Sequence, residues 1–170
     1  MDKLREYKIA FRNLKEGVHT YNFILDSEFF NCFDTTEGIL ANVNAVVTIK
    51  KSSLLMELKI ELNGEVKANC DRCLGELDLA ISGQMQLYVK QSEREEGNDD
   101  DYIIVNANDD YIDVSSYLYE TYLLNYPIKV THEEGECDEN MKDTLSEYLI
   151  YEDEKPIDPR WNELKKLINN

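Results

Sequence analysis

The chain has 170 residues, of which 42% are apolar, and a formal net charge of −17. That length supports one domain with its own core, and the apolar share excludes a chain disordered throughout. The charge excludes a broad basic footprint for bare nucleic acid. No segment is apolar and long enough to span a membrane, and the first eleven residues lack the apolar region of a signal peptide, so a cytoplasmic protein with reduced thiols is expected.

In chain order, the first half reads as strands. Tyr7, Ile9 and Phe11 alternate with polar or small residues, as do Tyr21, Phe23 and Leu25. Ile39 to Ile49 place apolar residues on odd positions, Met56 to Leu62 on even positions, and Leu77 to Val89 on odd positions again. Such a period of two predicts strands with one buried face, and one wet face favours antiparallel pairing. Asn63-Gly64 between two such runs predicts a hairpin. Parity requires a three-residue loop or a bulge at Gly64, because only then do Leu62, Val66, Ala68 and Cys70 share a face.

Between the strands, Asp26 to Phe33 reads as a short helix capped by Asp26, with Cys32 in its core. Residues 91–101 read as an exposed, mobile acidic loop, followed by a short strand from Tyr102 to Val105. Asp113 caps a helix running to about Tyr126, with Val114, Tyr117, Leu118, Thr121 and Leu124 or Asn125 as its stripe and Pro127 as its stop. Asp158-Pro159-Arg160 is a helix start, and Trp161, Leu164 and Ile168 give that helix one apolar side. The architecture expected is α+β. Its sheet is mainly antiparallel and curved, of about six strands and open to closure as a barrel, and carries two or three packed helices in a single domain over 1–170.

Two features carry chemistry. The first is Cys70-Asp71-Arg72-Cys73, where two thiolates at C-x-x-C spacing grip one tetrahedral zinc from a tight turn; His132 and Cys137 would complete a Cys₃His set. The alternative is that Cys70 and Cys73 are small buried side chains at a strand end. Arg72 either points outward to a partner or pairs with Asp71 or Asp78. The second feature is charge. Residues 93–154 hold 20 acids and 3 bases, so this stretch carries the whole excess. It is either a solvated surface or the match for a basic protein partner. Candidate partner contacts are Asp71, Arg72, Glu133, Glu134, Glu136, Asp158 and Arg160. There is no Gly-rich phosphate loop, G-x-S-x-G or H-E-x-x-H, and His19 reads as surface, so the chain is expected to bind and not to catalyse.

The ordered set of motifs resembles the YceD family. Cys70-Asp71-Arg72-Cys73-Leu74 before a long alternating strand carries the resemblance. So do the helix running into Leu123-Leu124-Asn125-Tyr126-Pro127-Ile128, the acidic segment with His132 and Cys137, and Asp158-Pro159-Arg160-Trp161 opening the last helix. The resemblance covers roughly residues 40 to 170. It departs from members with a fuller cysteine cluster after the helix, since here that region offers one histidine and one cysteine. It implies a role in the accumulation or processing of 23S ribosomal RNA and in assembly of the large ribosomal subunit, with a ribosomal protein or assembly intermediate as partner. The competing reading is a small zinc-binding module with no ribosomal role.

Overall fold

The computed structural model describes residues 4–33, 40–53, 55–92, 102–106 and 108–149. A single 3₁₀ turn, Arg5–Tyr7, leads into β1 (Lys8–Ala10) and β2 (Gly17–Asp26). Then follow α1 (Ser27–Phe30), β3 (Ala41–Lys51), β4 (Met56–Asn69), β5 (Glu76–Ser92), β6 (Tyr102–Asn106), β7 (Tyr111–Asp113), α2 (Ser115–Asn125) and α3 (Glu139–Tyr148). Strands β2 to β6 form one five-stranded sheet in sequence order, and β1 pairs with β7 in a second, two-stranded one. The fold is therefore α+β. Among the described residues the large sheet is open, with β2 and β6 as its edges, and does not close into a barrel. Among the described residues, no helix is long and apolar enough to cross a membrane.

Alternation sets the faces as the sequence requires. Val43, Ala45, Val47 and Ile49 of β3, Leu58, Ile60 and Leu62 of β4, and Ile81, Leu87 and Val89 of β5 are all buried in one core. Their odd–even–odd parity is carried by antiparallel register: Val47 faces Ile60, and Ile60 faces Met85. The last pairing differs, because β6 runs parallel to β5, with Tyr88 opposite Tyr102. Of the expected acidic loop, Gln91 and Ser92 instead finish β5, and 93–101 lie outside the described residues.

The predicted hairpin at Asn63-Gly64 is absent. Strand β4 passes straight through it, and the turn between β3 and β4 lies at Ser52–Leu55, where Ser52 N–H donates to Leu55 O at 2.9 Å. Parity is unbroken in a continuous strand, because Leu62, Gly64 and Val66 are all even. Gly64 is flanked by Val43 on one side and Ile81 on the other. A Cβ there would run into Asn42 O and the Val43 Cα. The glycine admits a close backbone approach inside a central strand, not a turn.

Helix α1 follows its cap. Asp26 Oδ1 accepts from Glu28 N–H and Phe29 N–H at 2.9 and 3.0 Å, starting α1. The short helix buries Phe29 and Phe30, while Cys32, expected in the core, is only half-buried. Helix α2 differs from expectation: its N-cap is Val114, with no capping side chain, and Asp113 ends β7 one residue earlier, its Oδ1 accepting from Ser115 N–H at 3.0 Å. Helix α2 lies on β5 and β4. It buries Leu118, Tyr119, Thr121 and Tyr122, whereas Leu124 and Asn125, expected in its stripe, are exposed. Tyr119 and Tyr122 take that place because α1 and the turn after it present rings to them: Phe33, from that turn, stacks on Tyr119 at 4.3 Å, and Phe30 of α1 meets Tyr122 at 4.6 Å.

Tyr7 is buried and its hydroxyl donates to Ile24 O at 3.1 Å. Burial, then the charge of Glu6, pushes its pKa far up, and burial pushes that of Tyr122 up to about 12. A phenol whose pKa is raised by folding favours the fold below its unfolded value, near 10, and loses that contribution as pH climbs toward the folded value. The thermal midpoint is therefore expected to fall above about pH 10. Tyr7→Phe should cost about 1 kcal/mol at neutral pH through the lost hydrogen bond, and flatten the alkaline fall. Thermal melts of both proteins across alkaline buffers check this.

Candidate metal centre

The continuous even parity of β4 delivers Cys70 to the inner face, where it is fully buried. The chain then turns within one knuckle. Cys70 N–H donates to Gly75 O, and Leu74 N–H donates back to Cys70 O, each at 2.8 Å. Leu74 closes the knuckle in the left-handed region, at φ 59°. The knuckle brings Cys73 under Cys70, and β5 starts immediately after it.

The second pair of donors arrives from a distant stretch. After α2, the backbone at Val130 docks on the knuckle: Asp71 N–H donates to Val130 O at 2.7 Å, and Val130 N–H donates to Asp71 Oδ2 at 2.6 Å. This two-way clamp aligns His132 beside Cys73. A turn follows, with Gly135 at φ 98° and Glu136 N–H donating to Glu133 O, and it carries Cys137 back into the cluster. Asp138 then caps α3 by accepting from Met141 N–H at 2.9 Å.

Cys70, Cys73, Cys137 and His132 thus meet with one donor atom each, all within 4.8 Å of one another. Cys70, Cys73 and Cys137 form a small buried cluster of their own, with Leu77 packed against it. Zinc–sulfur bonds of about 2.3 Å at the tetrahedral angle hold two sulfurs about 3.8 Å apart, and a sulfur and an imidazole nitrogen about 3.6 Å apart. The Cys70 and Cys137 sulfurs are separated by 3.8 Å, and His132 Nδ1 lies 3.3 Å from Cys73 Sγ and 3.9 Å from Cys137 Sγ. The donor set and its spacing fit a tetrahedral soft cation. The far side of the His132 ring is anchored, with Nε2 3.1 Å from Glu76 O. Placing the ring proton on Nε2 gives that carbonyl a donor and leaves the Nδ1 lone pair to face the thiols.

The electrostatics favour thiolate at Cys70 and Cys73 and the neutral thiol at Cys137. Burial alone would push the Cys70 thiol up, but the amide N–H groups of His132, Cys73 and Arg72, with the Cys73 thiol, outweigh it and hold the pKa at about 5. The Gly75 amide lowers that of Cys73, burial raises that of Cys137, and the Cys70 thiol raises that of His132.

Arg72 points neither outward nor to Asp71 or Asp78. Its Nε donates to Cys137 Sγ at 3.0 Å and its Nη2 to His132 O at 3.1 Å. With a divalent cation bound, three thiolates would leave the group at −1, and the guanidinium would bring it to neutrality. Arg72→Ala is expected to weaken zinc binding by about 10- to 100-fold, with Arg72→Lys between it and wild type. Competition against a chromophoric chelator measures it.

Glu133, Glu134 and Glu136 lie exposed on the segment that the cluster ties down. Asp158 and Arg160 lie outside the described residues. His19 is half-buried, with Nε2 2.8 Å from Lys15 O, and has no part in the cluster. The backbone partners at Glu76 and Val130 escape sequence reading, since they act through carbonyl and amide groups that every residue carries.

A family model described as large ribosomal RNA subunit accumulation protein YceD matches residues 58–168, more than half of the chain. No curated protein and no solved structure matches it.

Proposed function

The chain belongs to the YceD family, and from that premise we propose that it is a non-enzymatic accessory protein in 23S rRNA accumulation and large-subunit assembly. It acts by holding a basic ribosomal protein or assembly factor. The observation that carries the reading is the charge of the segment fixed by the metal centre. Residues 131–149 hold seven acids (Glu133, Glu134, Glu136, Asp138, Glu139, Asp143 and Glu147) and one base, Lys142.

Rigid presentation of exposed acid suits a cationic protein surface and repels bare rRNA. Leu74 and Ile128, both strongly exposed, stand on the two segments joined at Asp71 and Val130, and offer such a partner apolar contact beside the charge. The non-enzymatic part of the reading is supported by ligand number: four protein donors close a tetrahedron, whereas catalytic zinc keeps a position open.

Binding to purified basic large-subunit proteins across a salt series tests the proposal. Affinity should fall steeply with salt, and the triple reversal Glu133→Lys, Glu134→Lys and Glu136→Lys should weaken it roughly tenfold or more. If no large-subunit protein binds at physiological salt, the second reading gains. That reading is a small zinc-binding interaction module without ribosomal role, and it is favoured by the completeness of the Cys₃His set.

A further inference from the structure

Among the described residues, Leu74 is the one non-glycine with a positive φ, at 59°. In that left-handed region an L side chain sets its Cβ against the following carbonyl oxygen, and glycine removes the clash. The glycine of the knuckle stands one position later, at Gly75, where φ is not positive. Packing does not offset the cost. The Leu74 side chain is 69% exposed, and it is Leu77 that packs against the cysteine cluster. The knuckle therefore holds a leucine out to solvent in a conformation that suits glycine better.

The segment clamped to the knuckle carries more exposed apolar surface. Leu124 stands in the last turn of α2 and Ile128 follows the helix, at 76% and 106% exposure. Two residues further on, Val130 exchanges two hydrogen bonds with Asp71 of the knuckle. Single exposed leucines are ordinary, but large apolar side chains gathered on two joined segments mark a contact surface.

We propose that Leu74 is the apolar anchor of a docking surface for a basic protein, made by the knuckle and the end of α2. The inference rests on the proposed role of holding a basic large-subunit protein, and names the residue that gives the contact its apolar part. Charge selects this occupant. Glu133, Glu134 and Glu136 follow Ile128 on the same segment, so acid borders the apolar group. A second copy, with its own net charge of −17, would bring like charge to like, and bare RNA meets the same repulsion. A protein that presents an apolar side chain between lysines or arginines matches both features.

The test uses the full chain, the panel of purified basic large-subunit proteins and a salt series. Leu74→Gly should weaken binding roughly tenfold or more, by the same factor at every salt concentration, because the lost contact is apolar. The triple reversal at Glu133, Glu134 and Glu136 should instead lose most at low salt and flatten the salt dependence. Leu74→Met, which keeps an unbranched apolar side chain, should stay within about threefold of wild type. Leu74→Gly should not lower the thermal midpoint, and should raise it by up to about 4 °C where the knuckle melts with the sheet.

Binding that the triple reversal weakens and Leu74→Gly leaves unchanged overturns the proposal and keeps the charge-based role. Absence of any bound large-subunit protein overturns both. A lowered thermal midpoint in Leu74→Gly makes the leucine a structural residue and overturns the proposal. Self-association of the wild type that Leu74→Gly abolishes assigns the surface to a second copy and overturns it too.

Discussion

Protein purified without chelator is expected to carry one zinc per chain, and Cys70→Ser is expected to abolish it. Cys70 is the fully buried member of the cluster, bonded by the amides of Arg72 and His132 at 3.4 and 3.5 Å. A serine there supplies a poor zinc ligand and leaves three donors. In small domains a structural zinc contributes an apparent 10–16 kcal/mol, about the whole folding free energy. Here the five-stranded sheet has its own core, separate from the cysteine cluster. The loss should therefore be local. Hydrogen-exchange protection should vanish over 70–75 and 130–138, the acidic segment should detach from the knuckle, and the strands should stay protected. Cys73→Ser, Cys137→Ser and His132→Ala should behave alike. Cys32→Ser is the control, because its sulfur bonds Glu28 O at 3.3 Å and takes no part in the cluster. Metal analysis with hydrogen exchange by mass spectrometry reads all five variants.

Gly64→Val should be the most damaging single change in the sheet, by about 3 kcal/mol or more. The new side chain meets backbone, Asn42 O and the Val43 Cα, which cannot move aside as a side-chain tip would. Relief requires parting β3 from β4 near the Ala41–Val66 end of a ladder that runs on to Lys51 and Met56, while β5 holds the other side of Gly64 through Ile81. Asn63→Thr makes the contrast. In a hairpin, threonine at that position would damage the turn. In a continuous strand, on the exposed face beside Asn44 and Ser82, it should be neutral or slightly stabilising. Chemical denaturation of both variants decides between the two geometries.

What the sequence made legible was what local pattern determines. Alternation gave the buried faces of β3, β4 and β5, and parity turned Cys70 inward. The cap at Asp26 and the stop at Pro127 bounded their helices. The four candidate donors were legible as residue types, since C-x-x-C with a later histidine and cysteine offers a complete tetrahedral set. Their convergence was not. It depends on the Asp71–Val130 clamp, which joins residues far apart in sequence through backbone groups.

Arg72 shows the same limit. Its charge was plain, but only the fold sets its guanidinium against Cys137. Asn-Gly is a strong hairpin signal, and it failed because strands on both sides of β4 continue past it. Spacing alone puts Leu124 in the core, yet rings from α1 engage Tyr119 and Tyr122 and turn α2 so that Leu124 faces solvent.

The most direct test of the proposed role is the level of mature 23S rRNA, with ribosome profiles, in cells lacking this chain, with complementation by wild type or by the triple reversal at Glu133, Glu134 and Glu136. The account predicts reduced mature 23S rRNA and accumulated large-subunit precursors, restored by wild type and not by the reversal. Normal profiles without the chain, under several growth conditions, would contradict it.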